Sequence, residues 1–129
     1  MKAMIAAVAA ATVMVTSGFA MAAEPTGDPA KDVIALVKAD GGDCLACHTV
    51  DHKVVGPAWN DVSARYNGEI KDGKTTAAKI EDQLVEKITK GGNGNWNKIT
   101  GGASMLPHPV KPTQAQLHDI VKQILALKK

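Results

Sequence analysis

The residues best suited to chemistry sit in Cys44-Leu45-Ala46-Cys47-His48, which holds both cysteines of the chain and a histidine directly after the second. Two thiols separated by two residues can form a redox dithiol, supply half of a zinc site or close a disulfide. They can also add to the two vinyl groups on one edge of a haem while the adjacent imidazole is offered to the iron. A thioredoxin-like dithiol follows a strand, and no segment here alternates as a strand does. A zinc site needs a second ligand pair, available only from scattered histidines, and a disulfide at this spacing closes too small a loop to stabilise much. The C-x-x-C-H pattern therefore reads as covalent haem attachment through Cys44 and Cys47, with His48 as an axial ligand.

An iron held by one imidazole takes a second axial donor, and the start of the chain narrows the choice. MKAMIAAVAAATVMVTSGFAMAAEPTGD places one lysine ahead of an uncharged, alanine-rich run and an Ala20-Met21-Ala22 cleavage pattern. It reads as a secretory signal over residues 1–22 rather than an uncleaved anchor, because it lacks the Leu/Ile/Phe density and flanking charge of a stable span. Removing it takes away Met1, Met4, Met14 and Met21, which leaves Met105 as the only methionine. A thioether opposite imidazole favours the reduced iron and raises its potential. His52 lies too near His48 in sequence to reach the opposite haem face easily, and His118 reads as a partly exposed helical residue. His108, three residues beyond Met105, is the serious rival.

The elements that must position these groups read as helices. Asp28-Pro29 forms an N-cap and N1 pair ahead of Val33, Ile34 and Val37, with Gly41-Gly42 as the stop. A short helix is expected after Gly56-Pro57, with Pro57 in its first turn, Trp59, Val62 and Tyr66 as its stripe and Gly68 just past its end. Thr75 or Thr76 caps a third, carrying Ile80, Leu84 and Ile88 and ending at Gly91-Gly92. A capping-box pattern at Thr113 to Gln116 opens the last, with Leu117, Ile120, Val121, Ile124 and Leu127 on one side.

Between the last two helices, residues 91–112 show neither period. A structureless stretch of about 20 residues in so small a chain calls for a job, and Trp96, Met105, Leu106 and three prolines make a poor disordered linker. The loop is expected to wrap around something.

Composition says that the core lacks a large apolar body. Residues 23–129 form one expected domain of 107 residues whose aromatics are Trp59, Tyr66 and Trp96 alone. So small a core is marginal without a staple, metal or cofactor, and a covalent haem supplies the missing apolar body. Of the 15 Lys+Arg and 13 Asp+Glu, only Lys2 lies in the signal, so the mature chain carries a net charge of +1 with its charges interspersed. That balance argues against nucleic acid as a partner.

Taken in order, Cys44, Cys47, His48, Gly56-Pro57 and Met105 resemble a class I monohaem cytochrome c of the short bacterial periplasmic branch, from about Pro29 to Lys128. The resemblance implies an all-α small cytochrome c fold of about four helices and a Met-bearing loop around one covalent haem c, axially ligated by His48 and Met105. It further implies that the Pro57 carbonyl bonds the second ring nitrogen of His48, beside Gly56, and that Trp96 bonds a haem propionate. Residues 70–76 and 98–104 look longer than in compact relatives, and Met105-Leu106-Pro107 stands where Met-Pro-Pro is usual.

The function implied is one-electron transport in the periplasm, in a respiratory or denitrification chain, and no catalysis. The donor would be a quinol–cytochrome c reductase or dehydrogenase, and the acceptor a terminal oxidase or nitrite reductase. The alternative is a haem c subunit bound tightly to a periplasmic dehydrogenase or oxidase. An enzyme or gas sensor would need an open sixth position and a distal acid–base constellation, and the sequence shows none.

Overall fold

The computed structural model describes residues 24–40 and 42–127, so the expected signal segment lies outside the described residues. Among the described residues the chain forms six helices: α1 Pro29–Ala39, α2 Cys44–Cys47, α3 Trp59–Lys71, α4 Ala77–Lys90, α5 Asn97–Thr100 and α6 Gln114–Ala126. Four are the expected helices, and the one expected to be short, α3, runs to 13 residues. The other two are single turns, one in the thiol motif and one in the long loop, each too short to carry an apolar period.

The caps explain where the long helices start. The Asp28 side chain accepts from the Ala30 and Lys31 amides at the head of α1, Thr76 accepts from Lys79 at α4, and Thr113 and Gln116 form a reciprocal capping box at α6. The expected end of α3 at Gly68 is corrected: the helix continues to Lys71 and stops before Gly73, which has φ +73°. Glycine inside a helix costs only about 1 kcal/mol. Continuing brings Ile70 onto the core one turn beyond Tyr66, which offsets that cost.

Pro57 is likewise corrected from the first turn of α3 to the residue before its N-cap, Ala58. Alanine cannot cap with its side chain, so the free Trp59 and Asn60 amides are taken by the Thr49 and Val50 carbonyls, both at 2.9 Å. The start of α3 is thereby tied to the segment after the thiol motif.

α6 is the hub, packing against α1, α3 and α4. Its Ile120 and Ile124 join Val33 and Val37 of α1, Trp59, Val62 and Tyr66 of α3 and Ile80 of α4 in the main core, while Leu117 and Val121 meet Val85 of α4 in a second cluster. The polar residue Ser63 is buried at the α3–α6 seam and donates to the Leu127 carbonyl at 2.6 Å. Extended pairing among the described residues is limited to two isolated antiparallel bridges, His48 with Lys53 and Gly92 with Met105. Both sit in the segments that carry the chemistry.

Candidate functional site

The single turn of α2 places Cys44 and Cys47 three residues apart on one helical face, and His48 follows as its C-cap, donating its amide to the Cys44 carbonyl. The two cysteines are half-buried and are not joined to each other in a disulfide. Burial, with the nearby Asp43 charge adding to it, pushes the Cys44 thiol up, so the sulfur is held protonated. The chain then folds back on itself, and the Val55 and Gly56 amides both donate to the Cys47 carbonyl, at 3.2 and 2.8 Å.

This return loop fixes the imidazole. His48 Nδ1 lies 2.8 Å from the Pro57 carbonyl oxygen, an acceptor only, so Nδ1 carries the proton and Nε2 keeps its lone pair. Burial pushes the His48 pKa down, against the opposing effect of the Pro57 bond, and holds the ring neutral. Two neighbours also confine the ring. Trp59 stacks against it at a centroid distance of 5.9 Å and 15° between planes, and a Cβ on Gly56 would stand 2.8 Å from both Nδ1 and Nε2 and closer still to Cε1. The contact that the resemblance assigns to Pro57 is therefore made, and Gly56 serves it by having no side chain.

Met105 is set by its backbone. Its carbonyl accepts from the Gly92 amide at 2.8 Å and its amide donates to the Gly92 carbonyl at 3.1 Å. Immediately before, Gly91 ends α4 at φ +67°, where a Cβ would come 2.5 Å from the Met105 carbonyl and 2.7 Å from the Pro107 nitrogen. Three residues on, the His108 amide donates to the Ile88 carbonyl at 3.0 Å. The loop around Met105 is thus pinned on both sides to the end of α4.

Trp96 forms a third group. It meets Tyr66 edge-to-face at 6.5 Å, and the Arg65 guanidinium lies over it at 5.2 Å while donating to the Asn95 carbonyl. α3 joins the groups, because Trp59 at its head stacks on His48 and Tyr66, seven residues or roughly 10 Å along, touches Trp96. Cys44, Val50, Leu84 and Trp96 all pack on the same core cluster.

Arg65, Asn93 and Gly91 were not singled out by sequence reading for any part in this arrangement. Gly91-Gly92 carried a signal, read as a helix stop; that it also makes room for the Met105 backbone depends on a contact far along the chain.

The residues fit a haem. Two thiols lie one turn apart, a neutral imidazole is aimed by a carbonyl, and a thioether sits on a pinned loop. The exposed large apolar side chains fall in the same two segments: Leu45, Val54 and Val55 by the thiol motif, and Ile99, Leu106 and Val110 around Met105. Among the described residues no helix is long and apolar enough to cross a membrane.

An all-helical fold that presents such a thiol–imidazole turn defines a haem protein of the c type. No protein-family model matches the chain. It is 40% identical to cytochrome c-551 of Azotobacter vinelandii over 81 residues, 63% of this chain and 82% of that protein. It is 38% identical to cytochrome c2 of Rhodocyclus tenuis over 98 residues, 75% of this chain and 94% of that protein. The crystal structure of wild-type Nitrosomonas europaea cytochrome c552 matches with a TM-score of 0.56 at 33% identity, covering 74% of this chain and 99% of that one. The chain belongs to the class I monohaem c-type cytochromes. It carries one covalently attached haem c and serves electron transfer rather than catalysis.

Proposed function

We propose that the protein is a periplasmic one-electron carrier of a respiratory or denitrification chain, with its haem bound through Cys44 and Cys47 and its iron ligated by His48 Nε2 and the Met105 sulfur. The observation that carries this reading is the 2.8 Å bond between His48 Nδ1 and the Pro57 carbonyl. It leaves one ring nitrogen able to donate a lone pair, on the turn that also bears both thiols.

When bound, the haem iron supplies the reversible one-electron couple. The chain's own residues hold and tune it. Cys44 and Cys47 fix one edge, and the neutral His48 ring is kept from rotating by Pro57, Gly56 and Trp59, a restraint that also sets its basicity. Met105 contributes a soft donor that raises the potential, and Trp96, steadied by Arg65 and Tyr66, is the residue for a propionate. Export by residues 1–22 places the protein in the periplasm, between a quinol–cytochrome c reductase or dehydrogenase and a terminal oxidase or nitrite reductase.

Met105→Ala tests the ligand set. The substitution is expected to abolish the sulfur-to-iron charge-transfer absorption of the oxidised protein and to lower its potential. An unchanged spectrum and potential would assign the sixth position to His108 instead. Size-exclusion chromatography of the protein from its periplasmic extract is expected to show a free monomer, and elution in a stable complex with a dehydrogenase or oxidase would refute the free carrier.

A further inference from the structure

We propose that Asn93 is a positioning residue that clamps the Met105 loop shut and thereby limits how readily an outside ligand displaces the Met105 sulfur; the inference rests on Met105 being the axial ligand. The loop leaves α4 at Gly91 and pairs with itself at Gly92 and Met105. Everything between, including α5, bulges out from that pair. Backbone bonds hold Met105 to Gly92 on one side and His108 to Ile88 on the other, so the free play lies in the bulge.

The Asn93 side chain closes it. Its Nδ2 donates to the Gly102 carbonyl at 3.2 Å, and its Oδ1 accepts from the hydroxyl of Ser104, the residue immediately before Met105. The Asn93 carbonyl in turn accepts from Lys87 Nζ on α4. One residue therefore ties together the helix, the far end of the bulge and the neighbour of the sulfur donor. Gly101 and Gly102, at φ +66° and +87°, turn the chain so that the Gly102 carbonyl meets the Asn93 amide.

Displacement by imidazole breaks one iron–sulfur bond and forms one iron–nitrogen bond, with no change of oxidation state. It requires the loop to open, so the apparent affinity for imidazole is the intrinsic affinity scaled by the open fraction. Asn93 and Ser104 are exposed, and losing hydrogen bonds of this kind shifts an equilibrium by about three- to tenfold. Removing the clamp should raise the open fraction by that factor.

The test uses the oxidised holoprotein. Asn93→Ala is expected to bind imidazole about three- to tenfold more tightly than wild type. Ser104→Ala, which loses only one of the two side-chain bonds, should move in the same direction by less. The double variant should show less than the sum of the two effects, because one bond is shared. His118→Ala, which removes the pair with Glu81 at the α4–α6 contact, should lower the melting temperature and leave imidazole affinity alone; this separates loop control from general loosening. If Asn93→Ala does not assemble with haem, Ser104→Ala decides alone. A wild-type protein without sulfur-to-iron charge-transfer absorption removes Met105 from the iron and overturns both readings. Absorption present in wild type, with unchanged imidazole affinity in the variants, overturns the clamp alone.

Discussion

Gly56 illustrates how much depends on a missing methyl group. Its φ is not in the left-handed region, so the requirement for glycine there is steric rather than conformational. A Cβ would press into the His48 ring from 2.8 Å or less, and the ring cannot retreat freely because Trp59 stacks against it. Rotation would break the Nδ1–Pro57 bond. Overpacking of this kind costs about 1–3 kcal/mol, and here the strain falls on the proximal ligand itself. Gly56→Ala is expected to lower both the yield of haem-loaded protein and the melting temperature, and to shift the reduction potential. Potentiometry and thermal melts of the purified holoprotein check this, and a variant matching wild type in all three would show that the ring tolerates the methyl. Sequence reading set Gly56 and Pro57 at a helix start, and gave them a part beside His48 by resemblance only. The contact that gives Gly56 its role comes from chain eight residues away and is visible only once folded.

At the level of the helices, the sequence carried most of its information in caps and periodicity. Asp28, Thr76 and Thr113 announce α1, α4 and α6 because each side chain satisfies local amides. α3 was legible in its stripe but not in its ends, since its first amides are satisfied by Thr49 and Val50 and its last turn is kept by Ile70 packing past Gly68. The turns α2 and α5 left no pattern, because four residues cannot show a 3.6-residue period. The buried carboxylate Asp32 was also unremarked. It accepts from the Thr26 amide and hydroxyl, each at 2.8 Å, and these bonds, the amide first, hold its pKa below the usual carboxylate value. A carboxylate depressed in the folded state stabilises fully above its unfolded pKa, and that contribution is lost as the pH falls through the folded value. Asp32→Asn is therefore expected to melt a few degrees lower at pH 7 and to lose less stability than wild type between pH 5 and the acid limit. Thermal melts across that range check both parts, and parallel acid limbs for the two proteins would remove Asp32 from the account. The exposed pairs Glu86–Lys90 and Asp51–His52 also hold their carboxylates below the usual value, but exposed pairs contribute little to stability.

For the molecule as a whole, the question is whether the helices could hold together without the haem. The core around α6 is built mainly from valine, isoleucine and leucine, and of the three aromatics in residues 23–129 only Trp59 and Tyr66 are buried. Cys44, Val50, Leu84 and Trp96 pack on that core while only partly buried, so the apolar surface is arranged about the segments that bear the thiols and Met105. Those segments are also the ones that α3 depends on for its cap and α4 for the partners of its last carbonyls. A group that binds only the folded chain stabilises it by mass action, and two covalent bonds make that contribution permanent. A core with only two buried aromatics gains little from large side chains, which ordinarily dominate core burial. Replacing Cys44 and Cys47 with serine, so that no haem is attached, is expected to abolish cooperative thermal unfolding at 25 °C and above and to remove most of the far-UV helical signal. The contacts through α6 to α1, α3 and α4 set the competing expectation, that those helices suffice by themselves. A variant that keeps a cooperative melt and native helical signal would show that they do, and would reduce the haem's contribution to the electron-transfer site alone.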